Sequence, residues 1–222
     1  CATREELAPL LVRLENKNTQ RRLHRDFTTG EYAGLTVTAV MGGVGKVNAA
    51  VTTQELIQGF GAEKIIFTGV AGGLDDTLRV GDVVIGAEIL HHDLDMTPME
   101  NGQFPGMPTD FFRGDPELLG LCRGLGENLR FGRIATGETF VTARERGGII
   151  RRFHPQCVDM ESAAAAQVCW FFGVPLLVIR SLSDNADQEA EATYAENLSH
   201  ASVSALGVVF RVLEALGRKD AG

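Results

Sequence analysis

The sequence predicts a single-domain α/β protein with a twisted, mostly parallel central sheet and helices on both faces. Three observations predict it. Short β-branched or wholly apolar runs alternate with stretches of helical period. Those runs end at glycine, of which the chain has 26, and glycine serves strand-to-helix turns. No linker, repeat or low-complexity stretch divides the 222 residues, so 1–222 reads as one domain. Strands alternating with helices need crossovers, and crossovers put helices on the faces of a sheet.

Leu35 to Met41 alternates, is β-branched, and ends at Gly42-Gly43, which predicts a strand. Val47, Ala50, Val51, Leu56, Ile57 and Phe60 then recur with helical spacing. Ile65-Ile66-Phe67-Thr68 reads as a buried strand stopped by Gly69. Asp82 to Leu90 and Arg133 to Thr136 are further strands. Ser162 to Phe172 is an Ala-rich helix closed by Gly173 and Pro175. Leu176 to Ile179 is a strand buried on both faces. A long final helix is expected from about Ala192 to Leu216, with a frayed tail from Gly217. Glu100 to Pro108 is a loop rich in turn formers, of the kind that often carries function.

Composition excludes several classes. With 21 Lys and Arg against 29 Asp and Glu, the formal net charge is −8, which argues against a protein that tracks nucleic-acid phosphates. No uninterrupted apolar run approaches the ~18–20 residues of a membrane span, so no membrane partner is expected. The four cysteines, Cys1, Cys122, Cys157 and Cys169, show no zinc-type or redox spacing. They read as reduced thiols, and the compartment as cytoplasmic.

Several motifs bear on chemistry. Gly43-Val44-Gly45-Lys46 follows a strand and opens a helix, but a triphosphate-binding loop needs Gly at Val40 and Ser or Thr at Val47. It reads as a tight turn, or as a turn that lets a ligand approach closely. Gly69-Val70-Ala71-Gly72-Gly73 is a second glycine-rich turn, structural or a binding wall, at the end of a strand where α/β ligands collect. His91-His92-Asp93-Leu94-Asp95 looks metal-like, yet adjacent imidazoles on a strand point to opposite faces. Structural hydrogen bonding is the preferred reading there. Asp159 and Glu161 lie two apart in an apolar stretch, and Glu161 alone reads as an acid at a helix N-terminus. Arg180 and Asp184 follow a buried strand, where charge is expensive to desolvate without partners. A buried Asp there retains its proton near neutral pH and can donate it; the alternative is a turn cap.

In series, Gly43–Ala50, Thr68–Leu74, Val80–Val84, His92–Thr97, Gly137–Val141, Val158–Glu161 and Arg180–Asp187 resemble the purine nucleoside phosphorylase/uridine phosphorylase superfamily. Within it the chain most resembles the 5′-methylthioadenosine/S-adenosylhomocysteine nucleosidases. The resemblance implies the nucleoside phosphorylase-like fold and an N-ribosyl hydrolase. Asp184 would protonate N7 of adenine, with Ser183 positioning it. Phe140 would stack on the base, and the Val141 backbone would read its edge. Glu161 and Met160 would hold the ribose, Asp159 and Val70 would also contact the substrate, and Tyr194 would close the pocket. Glu6 would activate water, with Arg180 helping to hold it. No metal or organic cofactor is implied.

The resemblance also implies a homodimer in which residues 95–107 close the neighbour's pocket. Two departures stand out. Val70 replaces a Ser of several family members, and Asp159 replaces a commoner Glu. The family's apolar first strand, ahead of Ala2–Glu6, is absent from this chain, so an exposed edge in mid-sheet and a loosened Glu6 segment are expected. Phosphorolysis is disfavoured, because Phe67 stands where phosphorylases carry Arg and the amino-terminal loop offers Glu5 and Glu6. Futalosine or aminofutalosine hydrolysis is the alternative within the same chemistry.

Overall fold

The computed structural model describes residues 1–94, 111–126 and 129–220. In chain order the elements are α1 (Arg4–Arg13), β1 (Glu15–Arg22), β2 (Arg25–Tyr32), β3 (Leu35–Val40), α2 (Lys46–Phe60), β4 (Ile65–Gly73), β5 (Val83–His91), β6 (Phe112–Arg113), α3 (Pro116–Arg123), β7 (Leu129–Thr136), α4 (Ala143–Phe153), β8 (Cys157–Asp159), α5 (Ser162–Phe172), β9 (Leu176–Asp184) and α6 (Ala190–Asp220). The loop Glu100–Pro108 lies outside the described residues.

The sheet is mixed, not mostly parallel. β4–β9, β5–β7 and β7–β8 run parallel, while β4–β8, β5–β6 and β5–β9 run antiparallel. The reason is closure. β9 pairs with β4 on one side and reaches β5 on the other, so β5, β7, β8, β4 and β9 form a ring. Alternation of helix and strand along the chain says nothing of that long-range pairing. A separate antiparallel meander, β1-β2-β3, turns at Leu23-His24 and Ala33-Gly34, all with positive φ. Between β3 and β4 runs a cavity of about 410 Å³ lined mostly by apolar side chains such as Leu35, Val37, Ile66 and Leu213.

The ring interior and its helical cover form the core. Ile85, Leu177 and Ile179 are fully buried and pack with Leu206, Val209 and Leu213 of α6. On the other side, Val84, Ile134 and Val178 meet the alanines 163–166 of α5. Small side chains there let the helix approach the strands closely. α6 continues through the expected frayed tail to Asp220. By length and composition it is apolar enough to cross a membrane, with a window of mean hydropathy 1.3, although no uninterrupted apolar run signals it. Of that window 56% is buried inside the protein, which is how a core helix reads.

Two strands are longer than their apolar runs. β4 continues from Thr68 through the glycines to Gly73, and β9 from Ile179 through Arg180 to Asp184. These extensions carry the site described next. Replacing Ile179, which pairs with both Thr68 and Ile85, by Ala is expected to cost ~2–5 kcal/mol in urea unfolding with an unchanged slope. Val12→Ala, at a position 80% exposed, is expected to stay within ~0.5 kcal/mol.

Candidate active site

The carboxyl-side extensions of β4 and β9 frame a cavity of about 270 Å³. α1 supplies Glu6, the segment ahead of α4 supplies Phe140 and Val141, the turn from β8 into α5 supplies Asp159, Met160 and Glu161, and α6 supplies Tyr194. Val70, Ser183 and Asp184 complete the predicted set. Arg180 stands behind this wall, hydrogen-bonded to its members.

Each placement has a local cause. Thr3 caps α1 and Glu6 is its third residue, so the two form a capping box. Glu6 Oε2 accepts the backbone N–H groups of Ala2 and Thr3, both at 2.8 Å. Its other oxygen, Oε1, reaches across to the Val70 N–H at 3.0 Å. Glu6 is therefore only 3% exposed and held at both oxygens, not loosened as expected. The Thr-x-x-Glu spacing was the available sequence signal for this.

Glu161 is the N-cap residue of α5, but its side chain makes no capping hydrogen bond. It turns inward instead, accepting the Gly45 N–H at 2.9 Å and lying 3.3 Å from Arg180 Nη2. The Gly43–Lys46 turn is thus a close-approach turn. Gly45 sits at φ +99°, and an added Cβ would come within 3.0 Å of Glu138 Oε2.

Arg180 is 1% exposed. Its Nε meets Asp159 Oδ2 at 2.8 Å, its Nη1 donates to the Val70 carbonyl at 3.3 Å, and Nε and Nη2 donate to Ser162 Oγ. The guanidinium lies 5.0 Å above the Phe67 ring. Burial disfavours its charge, but Asp159, Glu161 and Glu6 outweigh that and keep it protonated. Asp159 has no idle oxygen: besides Arg180 it accepts from Thr136 Oγ1 at 2.6 Å, from Ser162 Oγ, and from the backbone of Glu161 and Ser162. Thr136 and Ser162 are functional neighbours that sequence reasoning missed.

Asp184 is 2% exposed. Oδ1 accepts the Ala186 N–H at 2.8 Å, so the turn-cap reading is also realised, while Oδ2 accepts from Ser183 Oγ at 2.9 Å. Burial pushes its pKa up, against the lowering effect of those two hydrogen bonds, and Asp187 adds to the rise. Burial also raises Glu161, with Arg180 opposing and Asp159 reinforcing. Phe140 and Tyr194 meet edge to face, with ring centroids 5.7 Å apart.

Four carboxyl groups therefore line one small cavity, and Arg180 is bonded to two of them, Asp159 and Glu161. Such a site suits a ligand that is polar at one end, flat and aromatic at the other, and that gains positive charge during reaction. His91, by contrast, lies 3.2 Å from Gln167. No group of three His, Cys, Asp or Glu side chains among the described residues is arranged to hold a metal ion.

The chain belongs to the phosphorylase superfamily, whose family profile matches residues 1–214. Its curated relatives include the 5′-methylthioadenosine/S-adenosylhomocysteine nucleosidases of Bacillus thuringiensis strain Al Hakam, 41% identical, and of Bacillus subtilis strain 168, 40% identical. These cover 97% and 96% of this chain, and 96% of each relative. Among solved structures, the Streptococcus pneumoniae nucleosidase with a transition-state inhibitor superposes with a TM-score of 0.92 at 34% identity, covering 97% of this chain and 96% of that one. A futalosine hydrolase of Helicobacter pylori superposes equally well, at 0.92, with 29% identity, covering 96% of this chain and 95% of that one.

Gly69 tests the packing of the site. A Cβ there would land against Arg180 Nη1 and Glu6 Oε1, well inside van der Waals contact. Gly69→Ala is expected to destabilise by ~1–3 kcal/mol in urea unfolding. Gly148→Ala in α4, where an added Cβ meets nothing within 4 Å, is expected to be neutral or stabilising by up to ~1 kcal/mol.

Proposed function

We propose that the protein hydrolyses the N-glycosidic bond of 5′-methylthioadenosine and S-adenosylhomocysteine, releasing adenine. The observation that carries this is Asp184: a buried carboxyl, biased toward its protonated form, at one end of a cavity that has Glu6 and Glu161 on its walls. Two carboxyl groups in differing surroundings can divide acid and base roles between them.

The base lies against Phe140, with the Val141 backbone at its edge and Tyr194 closing the pocket. Asp184 gives its proton to N7, oriented by the Ser183 hydroxyl, and the electron pair of the breaking bond passes to the purine. Glu161 and Met160 hold the ribose. The departing base leaves a cation-like ribosyl centre, which the excess of carboxylates favours. Water adds to that centre and gives its proton to Glu6. Arg180 fixes Glu161 and sets one positive charge beside the water-activating carboxylate. Asp159, saturated by Arg180, Thr136 and Ser162, supports the ribose wall without reaching into it.

Water is preferred to phosphate because a phosphate dianion would meet Glu6 and Glu161, with Arg180 already bonded to Glu161 and Asp159. The protein acts as a cytoplasmic homodimer in this reading. Val47 and Val51 of α2 and Trp170 and Phe171 of α5 are exposed apolar side chains on two helices that pack together, and such surface favours association. The closing segment 95–107 lies outside the described residues.

Adenine release from methylthioadenosine is expected to proceed equally with and without phosphate; a ribose 1-phosphate product would overturn the hydrolase assignment. Futalosine is expected to give the lower kcat/KM. Asp184→Asn is expected to lower kcat by ~10²–10⁴-fold. Because the active form of Asp184 is protonated and its pKa is raised, kcat/KM should fall as pH rises through that pKa. The alkaline limb then belongs to Asp184 and is expected to vanish in the Asn variant.

A further inference from the structure

Asp93 follows β5 and lies outside the cavity lining, yet two separate segments converge on its carboxylate. Lys46 Nζ approaches Oδ1 at 2.8 Å and Oδ2 at 3.0 Å, and the Glu138 N–H donates to Oδ2 at 2.9 Å. Glu138 closes the triangle by accepting the Lys46 backbone N–H at 3.0 Å. The Lys46 and Asp93 side chains are only 22% and 28% exposed, unlike a loose surface pair. Burial opposes the charge on Asp93, but the hydrogen bonds from Lys46 and Glu138 outweigh it and hold the carboxyl below its ordinary range.

What hangs from this triangle is the site. Gly45, the residue before Lys46, donates to Glu161 Oε1. Phe140 and Val141 follow two and three residues after Glu138, and both line the cavity. A shift of Lys46 against Glu138 would therefore move the ribose carboxylate relative to the wall that faces the base.

We propose that Asp93 is a positioning residue: by clamping Lys46 to the backbone of Glu138, it sets the spacing between the base wall at Phe140–Val141 and the α2 N-terminus that holds Glu161. This rests on the reading above, in which the base lies at Phe140 and Val141 and the ribose at Glu161. A Cβ added at Gly45 would meet Glu138 Oε2 at 3.0 Å, so the two segments pack with little room between them. The clamp then acts chiefly on orientation and does not touch the reacting atoms.

The test uses the full chain with Asp93→Ala, Asp93→Asn and Lys46→Met. Hydrogen exchange read by mass spectrometry over 43–47 and 137–142 reports the clamp without reference to any substrate. Adenine affinity by calorimetry and adenine release from methylthioadenosine report positioning. In Asp93→Ala both segments are expected to exchange faster. Adenine binding should weaken about tenfold, the scale of one lost charge-assisted hydrogen bond, and KM should rise more than kcat falls. Asp93→Asn keeps an acceptor for the Glu138 N–H, so it should recover adenine binding to within about threefold of the parent, and the Ala and Met changes should combine less than additively.

Unchanged exchange in Asp93→Ala overturns the clamp whatever the substrate. Faster exchange with adenine binding within about twofold of the parent, or a fall in kcat alone, overturns the positioning role. A parent protein that releases no adenine, while its Asp93→Ala variant still shows faster exchange in both segments, sinks the substrate reading and leaves the clamp standing.

Discussion

Arg180 is a cation taken wholly out of water, and the site is arranged around that fact. An unpaired buried guanidinium would cost several kcal/mol, so the chain must surround it with acceptors. It does so from separate elements: Asp159 at the end of β8, Glu161 and Ser162 at the start of α5, and the Val70 carbonyl in β4. These contacts tie β9, β4 and the β8–α5 turn to one point. Removing a partner would leave charge buried and uncompensated. The ring closure β5-β7-β8-β4-β9 and the internal charges thus depend on each other.

The same burial makes the carboxyl groups unequal. Asp159 is satisfied by five donors and serves the frame. Glu6 is fixed by three backbone N–H groups, with its two oxygens spanning from α1 to β4. Asp184, far from the guanidinium's bonds, meets desolvation with only two hydrogen bonds to offset it, and so is biased toward its proton. Three surroundings thus give one functional group three different settings: a saturated anchor, a carboxyl pinned by backbone, and one biased toward its proton.

Much of this was legible in residues, and the failures have definite causes. The helix Ser162–Phe172 and the starts of β4 and β9 follow from apolar runs punctuated by glycine and proline. β4 reads as stopping at Gly69 because glycine usually marks a turn; here it marks a place where Glu6 and Arg180 press on a continuing strand. β9 reads as ending at Ile179 because Arg180, Ser181, Ser183 and Asp184 are polar, yet all are buried; Arg180 is answered by Asp159, Glu161 and the Val70 carbonyl, which are far from it along the chain. β1 is exposed at every residue, so it has no apolar alternation to detect. The Asp93–Lys46–Glu138 triangle joins residues up to 92 positions apart, beyond the reach of any local pattern.

The sequence by itself determined the α/β class, the order of the motifs and the residue types available for chemistry, because period, glycine placement and side-chain identity are local properties. Only the tertiary structure decided the mixed direction of the strands, the closure of the ring, the inward turn of Glu161 and the raised pKa of Asp184. The physical reason is that strand direction and proton affinity depend on what lies across space, on pairing partners and lost water, and neither is written in neighbouring positions of the chain.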